Sequence, residues 1–289
     1  MPKDNYRFRL GAGGVILVLM FAAGGSAVAD PPEGVTLQLN VTCNGESNIR
    51  RVVNWPMIVD VALTNTDAMN ALLDDLAKRP GTSDPAQTKA SSRGITVGSS
   101  ATSAAALFHF TVTEAGKPAR SIRAQALPPV TGSAPNGITV DGHNAFRVSF
   151  TVDPGELRGQ MGHTLTLEVR LEPKPAEVEQ IEAKPLQIQY VREQDLNPVE
   201  KVVGHYMAGS YFIAMKQYAK AAPWADRLEK EVPQLAETLR AEMYLGSGDK
   251  AKAREACRNA LKLYVKASEG EKDAEPPVYL FELLNRIDR

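Results

Sequence analysis

The feature that most constrains this chain is a change of hydrophobic period near residue 198. Upstream of it the pattern has period two. Val35, Leu37, Leu39, Val41 and Cys43 alternate with Thr36, Gln38, Asn40 and Thr42, and the same alternation runs through Met57–Leu63, Phe108–Val112, Phe146–Val152, Leu165–Leu171 and Leu186–Tyr190. Successive side chains of a strand point to opposite faces, so each run carries one apolar and one wet face. Shorter runs at Ile122–Ala126 and Ile138–Val140 bring the expectation to roughly eight strands. Strands of this kind cover their apolar faces most simply by pairing two sheets.

Turn chemistry punctuates the runs. Asp141-Gly142-His143-Asn144 reads as a hairpin tip, and Asp153-Pro154-Gly155 stops the strand before it. One insertion breaks the rhythm: Thr66 is placed to cap a helix over 67–78, with Met69, Leu72, Leu73 and Leu76 on one face and Pro80-Gly81 at its end. Residues 81–105, rich in Ser, Thr, Gly and Ala, read as a loop. Downstream of Asn197-Pro198 the period becomes 3.6, predicting helices over 199–215, 218–231, 234–246, 249–267 and 277–287. The domains are therefore expected as 30–192 for the strands, 193–198 for a linker and 199–289 for the helices.

Residues 1–29 read as an address. Lys3, Arg7 and Arg9 precede an apolar run from Leu10 to about Ala23, and Ala27-Val28-Ala29 has the small-x-small form that a signal peptidase accepts. The run is shorter than the roughly twenty residues a stable span needs, so Sec-type export and cleavage are expected, with no membrane span afterwards. The destination is then the periplasm or the exterior. Cleavage removes three of the 33 basic and one of the 34 acidic residues, moving the net charge from −1 to −3. That balance excludes the clustered positive surface of an ordinary nucleic-acid binder. Two cysteines exclude a disulfide scaffold.

The strand-rich half is similar to an immunoglobulin-like sandwich in architecture, without the Cys…Trp…Cys spacing of true immunoglobulin domains. In the helical half, Lys216-Gln217-Tyr218-Ala219-Lys220-Ala221 and Gly248-Asp249-Lys250-Ala251-Lys252-Ala253 are alike and lie 32 residues apart. On these segments the chain resembles the tetratricopeptide repeat family, whose period is about 34 residues. Gly209, Phe212, Ala221, Leu228 and Pro233 fit the family's positions in one copy, and Ala241, Tyr244, Ala253, Cys257 and Ala260 in the next. His205 and Glu237 stand where the family often has Trp, Ala208 and Arg240 where it has Leu, and Val265 where it has the closing proline. Pro223 falls inside a helix and is expected to kink it or delay its start. The fold class expected is thus mixed: an all-β immunoglobulin-like sandwich followed by an all-α helical-hairpin domain, with the last helix as a cap.

The resemblance implies a concave groove lined by the first helix of each repeat. Its positions here are Val203, Tyr206, Ser210, Ile213 and Ala214, then Leu235, Thr238, Glu242 and Leu245. The groove lacks the paired Lys, Arg and Asn with which such repeats clamp a peptide carboxylate. Two visible repeats are fewer than the three usually needed, so docking on the sandwich or a second protomer would supply the missing burial.

Catalytic chemistry has no motif to rest on. His109, His143, His163 and His205 form no close pair with metal-ligand spacing, and there is no nucleophile elbow or phosphate-binding loop. Cys43 and Cys257 lie on apolar faces of different domains and read as unpaired buried thiols. The expectation is an exported protein without enzymatic activity, metal or cofactor, which engages a protein or peptide partner in the cell envelope. The competing reading is a carbohydrate-binding or inhibitor-like sandwich with the helices as a dimerisation unit. It needs exposed aromatics, and Trp55 is the only Trp of that half.

Overall fold

The computed structural model describes residues 35–70, 95–97, 105–127, 138–141, 145–176, 178–267 and 277–289. The expected export signal (1–29), most of the helix expected over 67–78, the hairpin tip expected at 142–144 and the acidic stretch 269–275 lie outside the described residues. Among those described, strands fill the first part and helices the last, as the change of period requires.

Twelve strands are described: β1 (Val35–Thr42), β2 (Asn48–Val52), β3 (Met57–Asn65), β4 (Ile95–Val97), β5 (Phe108–Glu114), β6 (Arg120–Ile122), β7 (Ala124–Ala126), β8 (Ile138–Val140), β9 (Phe146–Val152), β10 (Thr164–Leu171), β11 (Val178–Lys184) and β12 (Leu186–Val191). They form two five-stranded sheets, β11-β1-β3-β9-β7 and β2-β12-β10-β5-β6, and a two-stranded pair, β4-β8. Most ladders are antiparallel, while β1 with β11 and β12 with β2 run parallel. Burial alternates along β1, β3 and β10, so the apolar residue of each pair faces inward. Leu37, Leu39, Met57, Leu63, Leu165, Leu167, Leu186 and Ile188 are fully enclosed in one shared core. The two large sheets meet through aromatic side chains. Phe110 of β5 lies edge-on to Phe150 of β9 with ring centroids 4.7 Å apart, and Phe108 stacks on Phe146 at 5.8 Å. Each such side chain contributes about 1.5–3 kcal/mol of transfer free energy, which is why the faces close on one another.

Three local expectations are corrected. Asn65, not Thr66, caps the helical turn that opens at residue 66: its Oδ1 accepts the Ala68 N–H at 3.0 Å. Within the expected loop, Ile95–Val97 is a strand whose Ile95 and Val97 are buried. Strands β2 and β11 carry polar sequences, Asn-Ile-Arg-Arg-Val and Val-Glu-Gln-Ile-Glu-Ala-Lys, which the alternation does not reveal.

Five helices follow: α1 (Pro198–Ala214), α2 (Tyr218–Glu229), α3 (Pro233–Ser247), α4 (Lys250–Ala267) and α5 (Val278–Asp288). Pro233 opens α3 rather than merely breaking the chain, since the first turn needs no donor there. Pro223 sits within α2, and the helix runs through it. Gly248, at φ 88°, ends α3 with a left-handed cap.

The chain divides into two compact units, Pro32–Met215 and Lys216–Arg289. The division therefore falls after α1, not in the 193–198 stretch. That stretch holds a 3-10 turn at Glu193–Asp195 and the Asn197 cap of α1. The helical unit packs α2 on α3, α3 on α4 and α4 on α5. Its core is small-residued: Ala241, Ala253, Ala256, Cys257 and Ala260 are buried against Leu280, Leu283 and Ile287. Arg240 binds α2 to α3, donating to Glu229 at 2.6 Å, Asp226 at 2.9 Å and Glu237 at 2.6 Å. Tyr218 donates its hydroxyl to the Gly246 carbonyl at 2.6 Å. No helix among the described residues is long and apolar enough to cross a membrane.

Candidate functional site

The site is built where β1 turns into β2. Asn44 and Gly45 take positive φ values of 54° and 81°, and Cys43 and Glu46 exchange backbone hydrogen bonds of 2.9 and 3.1 Å. This is the tight primed hairpin turn that an Asn-Gly pair favours. It delivers β2 alongside β12, with Asn48 opposite Gln187, Arg50 opposite Gln189 and Arg51 opposite Tyr190.

Arg51 points inward and is 4% exposed. A second turn follows, with Asn54 at φ 68° and the Trp55 N–H bonded to the Val52 carbonyl. The Arg51 fork is threaded through that turn: Nε and Nη2 donate to the Trp55 carbonyl at 3.1 and 2.9 Å, and Nη2 also to the Pro56 carbonyl. Burial pulls this guanidinium below its ordinary range, opposed by the Cys43 and Tyr190 side chains. Burial conversely pushes Cys43 up to about 11 against the pull of Arg51, so it stays a thiol at neutral pH. Such a thiol is a poor nucleophile.

Helix α1 forms the facing wall, and its sequence fixes where it starts. Asn197 and Glu200 make a reciprocal capping box: Asn197 Oδ1 accepts the Glu200 N–H at 2.8 Å, and Glu200 Oε2 accepts the Asn197 N–H at 2.7 Å. The same Glu200 oxygen accepts Arg50 Nη1 at 3.2 Å, while Arg50 Nη2 donates to the Asp195 carbonyl at 2.7 Å. The helix cap is thus also the clasp on β2. One turn further, Gly204 lies against the Trp55 indole so closely that a Cβ there would fall 2.4 Å from the ring. His205, buried, places its ring 5.1 Å from that indole and its Nε2 3.3 Å from Glu193.

Between these walls is a cavity of about 640 Å³, within the range of small-molecule sites. Asn48, Gln187 and Gln189 are among its lining residues, Val203 and Met207 line its helical side, and Cys43, Arg51 and Trp55 also line it.

The predicted groove residues are divided between the two compact units. Val203 reaches the cavity, and Tyr206, Ser210, Ile213 and Ala214 continue along α1 as half-buried residues. Leu235 and Thr238 are buried on α3, where Thr238 donates to the Gln234 carbonyl, so neither presents a surface. Glu242 and Leu245 are half-buried on the same helix. Burial pushes the Glu242 carboxyl up to about 7, opposed by Arg286. Trp55 is 8% exposed and covered by Gly204, so it offers no open ring face for a sugar.

His109 points outward, and His163 pairs with Glu114, whose carboxyl is held low by Lys117 and then by His163. Both thiols are free and buried. No group of three His, Cys, Asp or Glu among the described residues is placed to hold a metal. Sequence reasoning passed over Arg51, Gln187 and Gln189. The Asn44-Gly45 pair and the Asn197-Pro198-Val199-Glu200 cap were legible signals for the two turns that build the site. The sequence matches no known protein-family model, and no curated protein is significantly similar to it.

Proposed function

We propose that this is an exported, non-enzymatic binding protein that serves protein–protein interaction or assembly in the cell envelope. In this reading the two facing sheets are an immunoglobulin-like sandwich, and the helices are a short tetratricopeptide-like array closed by α5. The observation that carries the proposal is the cavity wall on α1. Val203, singled out as an interaction position, lines a space of about 640 Å³ whose other polar residues are the amides Asn44, Asn48, Gln187 and Gln189, the charged Glu46, Arg50, Arg51 and Glu200, Thr164 and the Cys43 thiol. Amides and a protonated thiol hold a ligand without attacking it. The role is one of recognition, and a second protomer is one candidate for what the helices engage.

Capture from envelope extract with the signal-free chain tests this, alongside a Val203→Trp chain whose cavity is narrowed at its helical wall. The wild-type chain is expected to retain a defined partner that the variant loses while its circular dichroism is unchanged. Retention of no partner above a blank support, or equal retention by both chains, overturns the proposal. Light scattering on the same chain reports whether the partner is a second copy.

A further inference from the structure

We propose that the cavity beside β2 and α1 binds a carboxylate, carried either by a small apolar acid or by the C-terminus of a peptide, and that Arg51 is the residue that reads it. The inference rests on the proposed binding role and names the ligand chemistry of the same site. A guanidinium carries five N–H donors. Arg51 spends those of Nε and Nη2 on the Trp55 and Pro56 carbonyls, while Nη1 takes no acceptor among the described residues. No carboxylate pairs with Arg51 among the described residues, although it is more than nine-tenths buried. Nη1 is not one of the side-chain atoms sealed from solvent without a partner, and Arg51 forms part of the cavity wall. In this proposal a ligand in the cavity supplies the acceptor that Nη1 lacks.

The wall also selects the kind of anion. Arg50 is occupied by Glu200 and the Asp195 carbonyl, so Arg51 supplies the one uncommitted positive charge on the described wall. Glu46 stands on the same wall. The wall carries Glu46 and Glu200 as well as Arg50 and Arg51, so it holds no excess positive charge for a phosphate dianion, and a single guanidinium edge pairs with one monoanion. A planar guanidinium edge matches a planar carboxylate. The rest of the lining includes the amide residues Asn48, Gln187 and Gln189 and the apolar Ile49, Val203 and Met207. These suit an apolar chain or a peptide backbone behind the carboxylate. A structural role for Arg51 as a staple of the Val52–Pro56 turn accounts for its carbonyl bonds but predicts no preference among ligands.

The test is a titration of the signal-free chain carrying Trp224→Phe, which leaves Trp55 as the only indole. Hexanoate and hexanamide form one arm; an acetylated tetrapeptide with a free and with an amidated C-terminus forms the other. At least one free acid is expected to change Trp55 emission saturably, with its amide at least tenfold weaker. A response confined to the peptide assigns the source as a chain terminus, and one confined to hexanoate assigns a small acid. Arg51→Gln should abolish the preference for acid over amide. Should that variant fail to fold, Val203→Phe, which adds no indole, should weaken binding of the acid at least tenfold by narrowing the space at its helical wall. Equal binding of acid and amide, or no binding of either acid at millimolar concentration, overturns the assignment. If envelope capture still succeeds in that case, the carboxylate assignment falls and the binding role stands.

Discussion

Gly204 shows how one missing side chain can set an interface. In a helix interior, Gly→Ala ordinarily gains up to about 1 kcal/mol. Here the new Cβ would lie 2.4 Å from the Trp55 ring, and the backbone carbonyl of that same Trp holds Arg51. Overpacking costs about 1–3 kcal/mol, so Gly204→Ala is expected to lower stability overall, measured by denaturant unfolding followed through tryptophan emission. Cys43 gives a second prediction at this scale. Because burial raises its pKa to about 11, the folded chain holds the proton more tightly than the unfolded chain does. Its contribution is intact below pH 9 and is lost as pH rises toward 11. Alkylation of Cys43 at pH 8, mapped by peptide mass, should be slow in the native chain and rapid in denaturant.

Helix α1 combines a buried stripe through Val202, Ala208 and Tyr211 with a first turn that is tied to β2. Glu200 serves two partners at once, the Asn197 N–H and the Arg50 guanidinium. Asn197→Ala removes one half of the capping box and should cost about 1 kcal/mol. Hydrogen exchange is expected to show lost protection in the first turn of α1, with β3 and β9 unaffected. On α3, Glu242 predicts a pH dependence of the helical unit. Its carboxyl titrates near 7 in the fold against an ordinary value of 4.5, with Arg286 opposing and Tyr279 nearby. The folded state therefore binds more protons between those values, and stability falls as pH rises from about 4.5 through 7. Glu242→Gln should flatten that slope in unfolding measured at pH 5 and pH 7.5, and a slope unchanged by the substitution would show that another group carries it.

At the scale of the whole molecule, the division into Pro32–Met215 and Lys216–Arg289 predicts where the chain is cut most readily. Lys216 is exposed and left-handed at φ 56°, a favourable point for trypsin. Brief digestion should cut after it first and leave a C-terminal fragment with helical circular dichroism. The change from alternation to a 3.6 period was enough to place the strands of β1, β3, β5, β9, β10 and β12 and the bounds of five helices to within a few residues. Those signals are local, since each element must bury its own apolar face, and the face is written at fixed spacing along the chain. What the sequence determined by itself was therefore which segments become strands and which become helices. Tertiary structure alone decided that the polar strand β2 joins β12, that Arg51 is buried, that α1 belongs with the sheets, and that a cavity opens between them. The contacts responsible join residues far apart in the chain, such as Arg50 and Glu200, separated by 150 positions. No periodicity encodes such a pairing, because its free energy exists only once both segments are already folded and facing each other.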